Sequence, residues 1–226
     1  MNYDWLLFDA DNTILDFDEA QRQALAQALA AIGISFMEAH HQVYDRINRE
    51  CWRAYEEGTL SKQELQAKRF QNFFLEIGEK QDAADFGKTY IHFLSRSTAM
   101  MNGAIALLDV LKQKYRMALV TNGIKEVQRS RIHLSGIAPY FSFIAISDEI
   151  GVSKPHEGFF THVFEGINHP SKERTLIIGD NLNADIKGGL AFGIHACWFN
   201  YGQRERYLEV EPTYEIAQLS ELLAIL

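Results

Sequence analysis

The apolar residues of this chain occur in two patterns, short runs and stripes with a helical period. Runs of about four mostly apolar residues are typical of strands buried on both faces of a parallel sheet. The stripes are typical of amphipathic helices, and several of them end at glycine. Strands are therefore predicted at residues 5–8, 117–120, 143–146, 175–178 and 195–198, with a short extended segment around 214–216.

Helical stripes lie between the predicted strands and also in one long block after the first strand. Helices are predicted at residues 19–32, 37–57, 61–77, 82–96, 104–114, 125–135, 158–167, 184–192 and 220–226. The alternation of strands and helices predicts an α/β fold with a doubly wound parallel sheet. The first four helices, with no convincing strand among them, predict a small inserted bundle. We expect one domain from residues 1–15 and 100–226 and a helical cap domain from residues 16–99.

Composition and charge narrow the functional class. The 226 residues are 47% hydrophobic and 23% charged, as in an ordinary globular protein. The net charge of −8 argues against a nucleic-acid polymer or an anionic membrane as partner, although a small anion stays possible as substrate. The chain begins without the basic region of a secretory signal and has no apolar stretch of membrane-spanning length, so we expect a cytoplasmic protein. Monomer and homodimer both stay open as its oligomeric state. Cys51 and Cys197 have no metal-type spacing and are expected to be reduced.

Polar residues follow the predicted strands at their carboxyl ends, where open α/β sheets bind ligands. Asp9 and Asp11 follow the first strand one residue apart, so an extended backbone directs both to the same side. Two like charges held about 4 Å apart repel by about 4 kcal/mol at an effective dielectric of 20, so we expect a positive charge between them. The other candidates are Thr121 after the second strand, Lys154 after the third, Asp180 after the fourth and Asp185 in the next helix.

This set of side chains suits a metal ion and a phosphate ester. Carboxylates with few histidines nearby select magnesium rather than zinc, with manganese as the expected substitute. Asp9 is expected to attack as the nucleophile and to form an aspartyl phosphate. Asp11 is expected to protonate the leaving oxygen and then to deprotonate the hydrolytic water. Lys154 is expected to balance the negative charge.

The remaining candidates are expected to bind the phosphate and the metal. Thr121 and the backbone amides of Asn122 and Gly123 are expected to hold phosphate oxygens. Asp180 is expected to coordinate the metal directly, and Asp185 to coordinate it or to orient a metal-bound water. Each motif alone has a plainer explanation: a turn, a solvated lysine before a helix, a strand exit, or an acid in a first helical turn. Their order and placement at successive strand ends favour one common site.

Taken together, these motifs resemble the four motifs of the haloacid dehalogenase superfamily. The residues concerned are Asp9-Ala10-Asp11-Asn12-Thr13, Thr121, Lys154-Pro155 and Gly179-Asp180-Asn181-Leu182-Asn183-Ala184-Asp185. The resemblance implies a Rossmann-like core with a helical cap in the inserted position, bound magnesium, and the Asp9 nucleophile. It also implies that the backbone carbonyl of Asp11 is a further metal ligand. The acid at Asp11 implies a phosphotransfer branch, because the dehalogenases proper lack it.

Within the superfamily the chain is most similar to the noncanonical pyrimidine nucleotidases. The similarity rests on the acid-rich start, in which Asn12 replaces a common glycine, on residues 120–123 and 147–155, and on Asn48 and Trp52 in the cap. It implies hydrolysis of nucleoside 5′-monophosphates such as those of uridine, deoxyuridine and thymidine. Asn48 and Trp52 are candidates to contact the base; the alternatives are an exposed helical asparagine and a member of the bundle core.

Four other functions are compatible with parts of the pattern. A phosphatase for a sugar phosphate or phosphoglycolate uses the same motifs, and a mutase is a more distant choice. A receiver-type phosphosignalling domain also gathers acids, threonine and a Lys-Pro pair around magnesium, but it has no place for the long helical insert. An inactive binding protein on this fold is disfavoured by the intact set of acids and Lys154.

Overall fold

The computed structural model describes residues 3–207 and 209–226, and the chain divides into two compact units. One unit combines the chain up to Phe17 with Thr98–Leu226, and the other is Asp18–Ser97. Residues 1, 2 and 208 lie outside the described residues. All three belong to the predicted first domain, and residues 1 and 2 also begin the stretch in which no secretory signal is expected. Within the described ranges, no helix is both long and apolar enough to cross a membrane.

The first unit is built on a parallel sheet of six strands. Its order is β3-β2-β1-β4-β5-β6, so the first strand lies in the interior of the sheet between β2 and β4. This confirms the predicted α/β fold class, and the short segment near residue 215 is one of the two edge strands. The strands are β1 Trp5–Asp9, β2 Arg116–Thr121, β3 Phe143–Ile146, β4 Thr175–Gly179, β5 His195–Phe199 and β6 Tyr214–Ile216.

The α-helices of the described residues agree with the predicted pattern apart from a few ends and one additional short α-helix. They are α1 Phe17–Ala31, α2 Glu38–Glu56, α3 Lys62–Ile77, α4 Ala83–Leu94, α5 Ala104–Leu111, α6 Lys125–Leu134, α7 Ser147–Ile150, α8 Glu157–Gly166, α9 Gly188–Phe192 and α10 Leu222–Ile225. The unpredicted α7 follows β3 directly, where Asp148 and Glu149 favour a first helical turn. The helix predicted at 184–192 begins earlier, as a π-helix at Leu182–Lys187, because Asn181 caps its first amides.

Helices cover both faces of the sheet, and β1 contributes residues to the buried cluster on each face. Leu6 and Phe8 belong to one buried cluster with Leu107 and Leu108 of α5. Trp5 and Leu7 belong to the opposite cluster, which includes Phe159 and Phe160 of α8. All five residues of β1 are buried, which explains why the sequence shows an unbroken apolar run rather than an alternating one.

The second unit has an aromatic core shared by α2, α3 and α4. Tyr44 stacks on Phe70 at a centroid distance of 5.4 Å, and Tyr90 lies 5.2 Å from both rings. Ser61 caps α3 with the predicted capping box, and Gly78 ends the same helix in the left-handed conformation with φ of 73°. The predicted small bundle is therefore a packed helical unit with defined helix ends.

Candidate active site

Asp9 ends β1 and is held by an ammonium group from a distant part of the chain. Lys154 Nζ lies 2.6 Å from Asp9 Oδ1, 2.7 Å from Asp185 Oδ1 and 2.8 Å from the Val120 carbonyl oxygen. The three N–H donors of this ammonium thus have three acceptors. The second carboxylate oxygen of Asp9 lies 3.5 Å from Thr13 Oγ1. Asp9 Oδ2 is therefore the oxygen that this lysine leaves available for chemistry.

Burial and the ion pair between Asp9 and Lys154 shift the pKa values of these two residues in opposite directions. Burial raises the pKa of Asp9 well above its usual range; Lys154 opposes the shift, while Asp185, Asp180 and Asp11 add to it. Burial alone would lower the pKa of Lys154, but Asp185 and Asp9 beside it raise that pKa above the ordinary value. Lys154 is therefore a fixed positive charge inside the site, which favours the ionised form of Asp9.

Three carboxylates converge at the carboxyl ends of β1 and β4. Asp9, Asp180 and Asp185 each offer an oxygen, and these oxygens all lie within 4.8 Å of one another. The Asn181 amide fixes Asp185 Oδ2 at 3.1 Å. A Cβ at Gly179 would lie 2.2 Å from that same oxygen, so only glycine lets Asp185 approach the strand end. Arg204 Nη2 contacts Asp180 Oδ2 at 3.2 Å from the exposed side.

The donor set fits a magnesium ion. Three carboxylates and the Lys154 ammonium carry charges of −3 and +1, which leave −2 in a mostly buried space. Hard carboxylate oxygens are the ligands that magnesium prefers, and no histidine or cysteine belongs to this cluster of described residues. The Asp11 carboxylate lies outside the cluster as well. A ligand role for Asp11 through its backbone carbonyl stays a prediction.

Thr121 ends β2 with its hydroxyl oriented by two donors. Its Oγ1 accepts from Gln128 Nε2 at 2.8 Å and from the Gly123 amide at 3.1 Å. Since both lone pairs of the oxygen are then used, the hydroxyl proton is left to donate outward, as a phosphate contact requires. The Gly123 amide, expected to meet phosphate, donates to Thr121 in this structure.

Asn122 positions Lys154 through the backbone. Its Oδ1 accepts from the Lys154 amide at 2.9 Å, and its Nδ2 donates to the Lys154 carbonyl at 2.8 Å. The Lys154–Pro155 peptide bond is cis. The side chain of Asn122 therefore connects the loop after β2 to the lysine loop after β3, a contact that the sequence analysis did not anticipate.

The side chain of Asp11 is held by two residues that the sequence analysis missed. Arg131 Nη1 donates to Asp11 Oδ1, and Gln128 Nε2 donates to Asp11 Oδ2. Both partners lie on α6, three positions apart and hence on one helical face, and both are buried. Two polar side chains on the apolar face, beside Val127 and Ile132, were the available signal.

Asn12 lies in the left-handed backbone region, with φ of 55°. Asparagine tolerates this conformation better than most residues, which accounts for its place where the related motif commonly has glycine. Its Oδ1 also accepts from the Phe17 amide at 3.0 Å, at the start of α1. The asparagine thus shapes the turn after the two aspartates and caps the helix that follows.

The two residues expected to contact a base both lie on α2 of the helical unit. Asn48 is buried, so the alternative of an exposed helical asparagine is wrong. Its Nδ2 donates to Gln21 Oε1 at 2.8 Å, and its Oδ1 accepts from Arg69 at 3.2 Å, inside the unit. Trp52 is half-buried and packs edge-on against Tyr55, with ring centroids 5.7 Å apart. Contact of either residue with a substrate stays a prediction.

Known proteins resemble this chain over nearly its whole length. A family model described as haloacid dehalogenase-like hydrolase matches residues 3–193. The pyrimidine 5′-nucleotidase PynA of Streptococcus pneumoniae is 37% identical over 224 residues, covering 99% of this chain and 94% of that protein. The pyrimidine 5′-nucleotidase YjjG of Escherichia coli is 29% identical over 226 residues, covering 100% and 99%.

A solved structure extends this similarity to three dimensions. It is the magnesium-bound crystal structure of a Bacillus subtilis protein described as the HAD-hydrolase YfnB. The TM-score is 0.95 at 39% sequence identity, with 100% of this chain and 99% of that chain covered. The agreement extends over both compact units of the chain.

Proposed function

This chain belongs to the haloacid dehalogenase-like hydrolase family, and we propose that it is a magnesium-dependent phosphomonoesterase acting on pyrimidine nucleoside 5′-monophosphates. The expected substrates are the monophosphates of uridine, deoxyuridine and thymidine. The observation that carries the proposal is the buried nucleophile candidate Asp9, paired with Lys154 and grouped with Asp180 and Asp185. A mostly buried site with a net charge of −2 favours a divalent cation, and a bound cation in turn favours an anionic substrate beside it.

The reaction proceeds through an aspartyl phosphate. Asp9 Oδ2 attacks phosphorus, a bond from oxygen to phosphorus forms, and the ester bond to the nucleoside 5′-oxygen breaks. Asp11 gives a proton to that departing oxygen, then takes one from the water that attacks the phosphoenzyme. The water oxygen forms a bond to phosphorus, the bond from phosphorus to Asp9 Oδ2 breaks, and inorganic phosphate leaves with Asp9 regenerated. Both half-reactions therefore use the same two aspartates, and Asp11 changes from acid in the first to base in the second.

The other residues hold the phosphoryl group and its charge. Thr121 donates its hydroxyl proton to a phosphate oxygen, and the loop Asn122–Gly123 contributes to the same pocket. Asp9, Asp180, Asp185 and the Asp11 backbone carbonyl are the proposed magnesium ligands; manganese is the expected substitute. When bound, the ion offsets the charge of the carboxylates and of the phosphate oxygens. Lys154 opposes the rise of the Asp9 pKa and so favours the ionised, nucleophilic carboxylate.

The substrate class is supported by the two curated relatives, both named pyrimidine 5′-nucleotidases. We assign base recognition to the helical unit, proposed to act as the cap domain, with Asn48 and Trp52 as candidates. The carboxylate site accounts for hydrolysis of the phosphate ester but not for the identity of the leaving group. We therefore propose that the helical unit selects the leaving group.

The test is a panel of phosphate monoesters incubated with magnesium and the purified chain. We expect phosphate release from uridine and thymidine monophosphates, loss of that activity in Asp9→Asn, and loss on chelation. Asp4→Asn is the matched control, because Asp4 lies exposed just before β1 and pairs with Arg174. A preference for sugar phosphates or phosphoglycolate would overturn the substrate assignment. Activity unaffected by Asp9→Asn or by chelation would overturn the mechanism.

A further inference from the structure

Two side chains of α6 hold the acid–base candidate Asp11 from its buried side. Arg131 donates to one carboxylate oxygen and Gln128 to the other, and both donors are 1% exposed or less. We propose that Arg131 and Gln128 are positioning residues that fix the Asp11 carboxylate for proton transfer. This inference rests on the proposed function, because it concerns the step assigned to Asp11.

The hydrogen bonds from Arg131 and Gln128 leave lone pairs of the Asp11 carboxylate available for proton transfer. Each carboxylate oxygen has two lone pairs, and Arg131 and Gln128 use one on each oxygen. The side chain of Asp11 is 26% exposed while that of Arg131 is 0% exposed, so the two buried donors do not enclose the carboxylate. Two donors on different oxygens also fix the plane of the carboxylate, which one donor cannot do.

Gln128 connects Asp11 to the residue proposed to bind phosphate. The same Nε2 that donates to Asp11 also donates to Thr121 Oγ1 at 2.8 Å. The acid–base group is therefore placed relative to the hydroxyl that contacts the phosphoryl group. Gly123 provides the space, because a Cβ there would lie 2.4 Å from Gln128 Nε2.

Arg131 and Gln128 would destabilise the fold if their role were purely structural. Arg131 Nε, Arg131 Nη2 and Gln128 Oε1 are buried and have no hydrogen-bond partner among the described residues. Buried polar atoms without partners destabilise a fold, and an apolar residue would pack this helical face without that cost. The arrangement is understandable if the position of Asp11 is what the two residues provide.

The test compares two esters that differ in how much their leaving group needs a proton. A nucleoside 5′-oxygen leaves as an alkoxide unless it is protonated, whereas p-nitrophenolate leaves readily without a proton. Arg131→Met should lower kcat/KM for uridine monophosphate by about 30- to 100-fold, and for p-nitrophenyl phosphate by less than about 3-fold. Arg131→Lys, which keeps a charged donor, should recover part of the loss.

Further variants make the comparison specific. Asp11→Asn should show the same selective loss, and Asp11→Asn/Arg131→Met should be no worse than Asp11→Asn alone, because both changes act on one group. Arg129→Met is the matched control: Arg129 is exposed on the same helix and pairs with Glu149. It should leave both esters at wild-type rates. If Arg131→Met does not fold, Gln128→Met replaces it. Because Gln128 also contacts Thr121, both esters should then react more slowly, but the loss for uridine monophosphate should be about 10-fold larger than the loss for p-nitrophenyl phosphate.

Equal losses on the two esters, or additive losses in the double variant, would overturn the inference and leave Arg131 a structural residue. The proposed substrate can fail separately. If the wild type prefers another alkyl phosphate, the same comparison is made with that ester. If Asp11→Asn shows no selective loss, the acid role of Asp11 and the inference fail together.

Discussion

Lys154 Nζ lies 2.6 Å from Asp9 Oδ1, although 145 positions separate the two residues. The parallel sheet explains the contact, because the carboxyl ends of β1, β2 and β3 meet at one edge. The same ammonium also contacts Asp185 at 2.7 Å. One buried cation thus stabilises both the proposed nucleophile and a proposed metal ligand.

Loss of this cation should destabilise the fold. Without a divalent cation at neutral pH, Lys154→Met should lower the free energy of unfolding by about 3–5 kcal/mol, because Asp9 and Asp185 are left buried without their partner. Magnesium should restore part of the loss by supplying positive charge at the same place. Denaturant unfolding followed by circular dichroism, with and without magnesium, measures both effects.

The control for Lys154 is Lys88→Met, which removes an exposed lysine paired with Asp85 and should leave stability unchanged. If Lys154→Met were as stable as Lys88→Met in metal-free buffer, the electrostatic account of the pair would be wrong.

Gly179 should be indispensable for metal binding. In Gly179→Ala the new methyl group would lie 2.2 Å from Asp185 Oδ2 and 2.7 Å from Asp185 Cβ, so the carboxylate must move. We expect magnesium affinity to fall at least about 10-fold, as for other changes that disturb ligand orientation. Titration calorimetry measures this. Gly202→Ala is the control, because its methyl group would meet Arg204 Cγ at an ordinary 3.4 Å. Unchanged affinity in Gly179→Ala would contradict the proposed role of Asp185.

The start of α3 should respond to acid through Glu64. Hydrogen bonds from the Ser61 amide and hydroxyl, with help from Lys68, lower the pKa of Glu64 to about 2. Since this pKa is depressed on folding, the stabilisation is present above the ordinary pKa of about 4.5 and is lost as pH falls toward about 2.

Thermal unfolding of wild type and Glu64→Gln across this range tests the prediction. The wild type should have the higher Tm at pH 6, and the difference should shrink as pH falls from about 4.5 toward 2. Glu79→Gln, at an exposed position just after α3, serves as the control. A difference that is constant with pH would show that the carboxylate charge is not what stabilises the helix start.

Local patterns were enough to predict much of this molecule. The apolar run before Asp9 predicted an interior parallel strand, and the strand ends predicted that Asp9, Asp180 and Asp185 would come together, as they do. These inferences succeed because burial on both faces of a sheet dictates composition, and because parallel strands place their carboxyl ends at one edge.

Contacts between distant parts of the chain could not be predicted from the sequence pattern. Arg131 and Gln128 reach Asp11 from the apolar face of α6. Their polarity at that place indicates a polar partner, but nothing local identifies which residue it is. The burial of Asn48 was missed for a similar reason: its partners Gln21 and Arg69 come from other helices. Pairings of this kind depend on tertiary packing, which periodicity does not encode.

The central claim is that Asp9 carries the phosphoryl group during turnover. Rapid acid quench of the wild type mixed with magnesium and uridine monophosphate, followed by peptide mass spectrometry, tests it directly. The account predicts a phosphoryl group on the peptide that contains Asp9, absent from Asp9→Asn and present in the Asp4→Asn control. Phosphate release by the wild type with no phosphoryl group on that peptide at any quench time would contradict it.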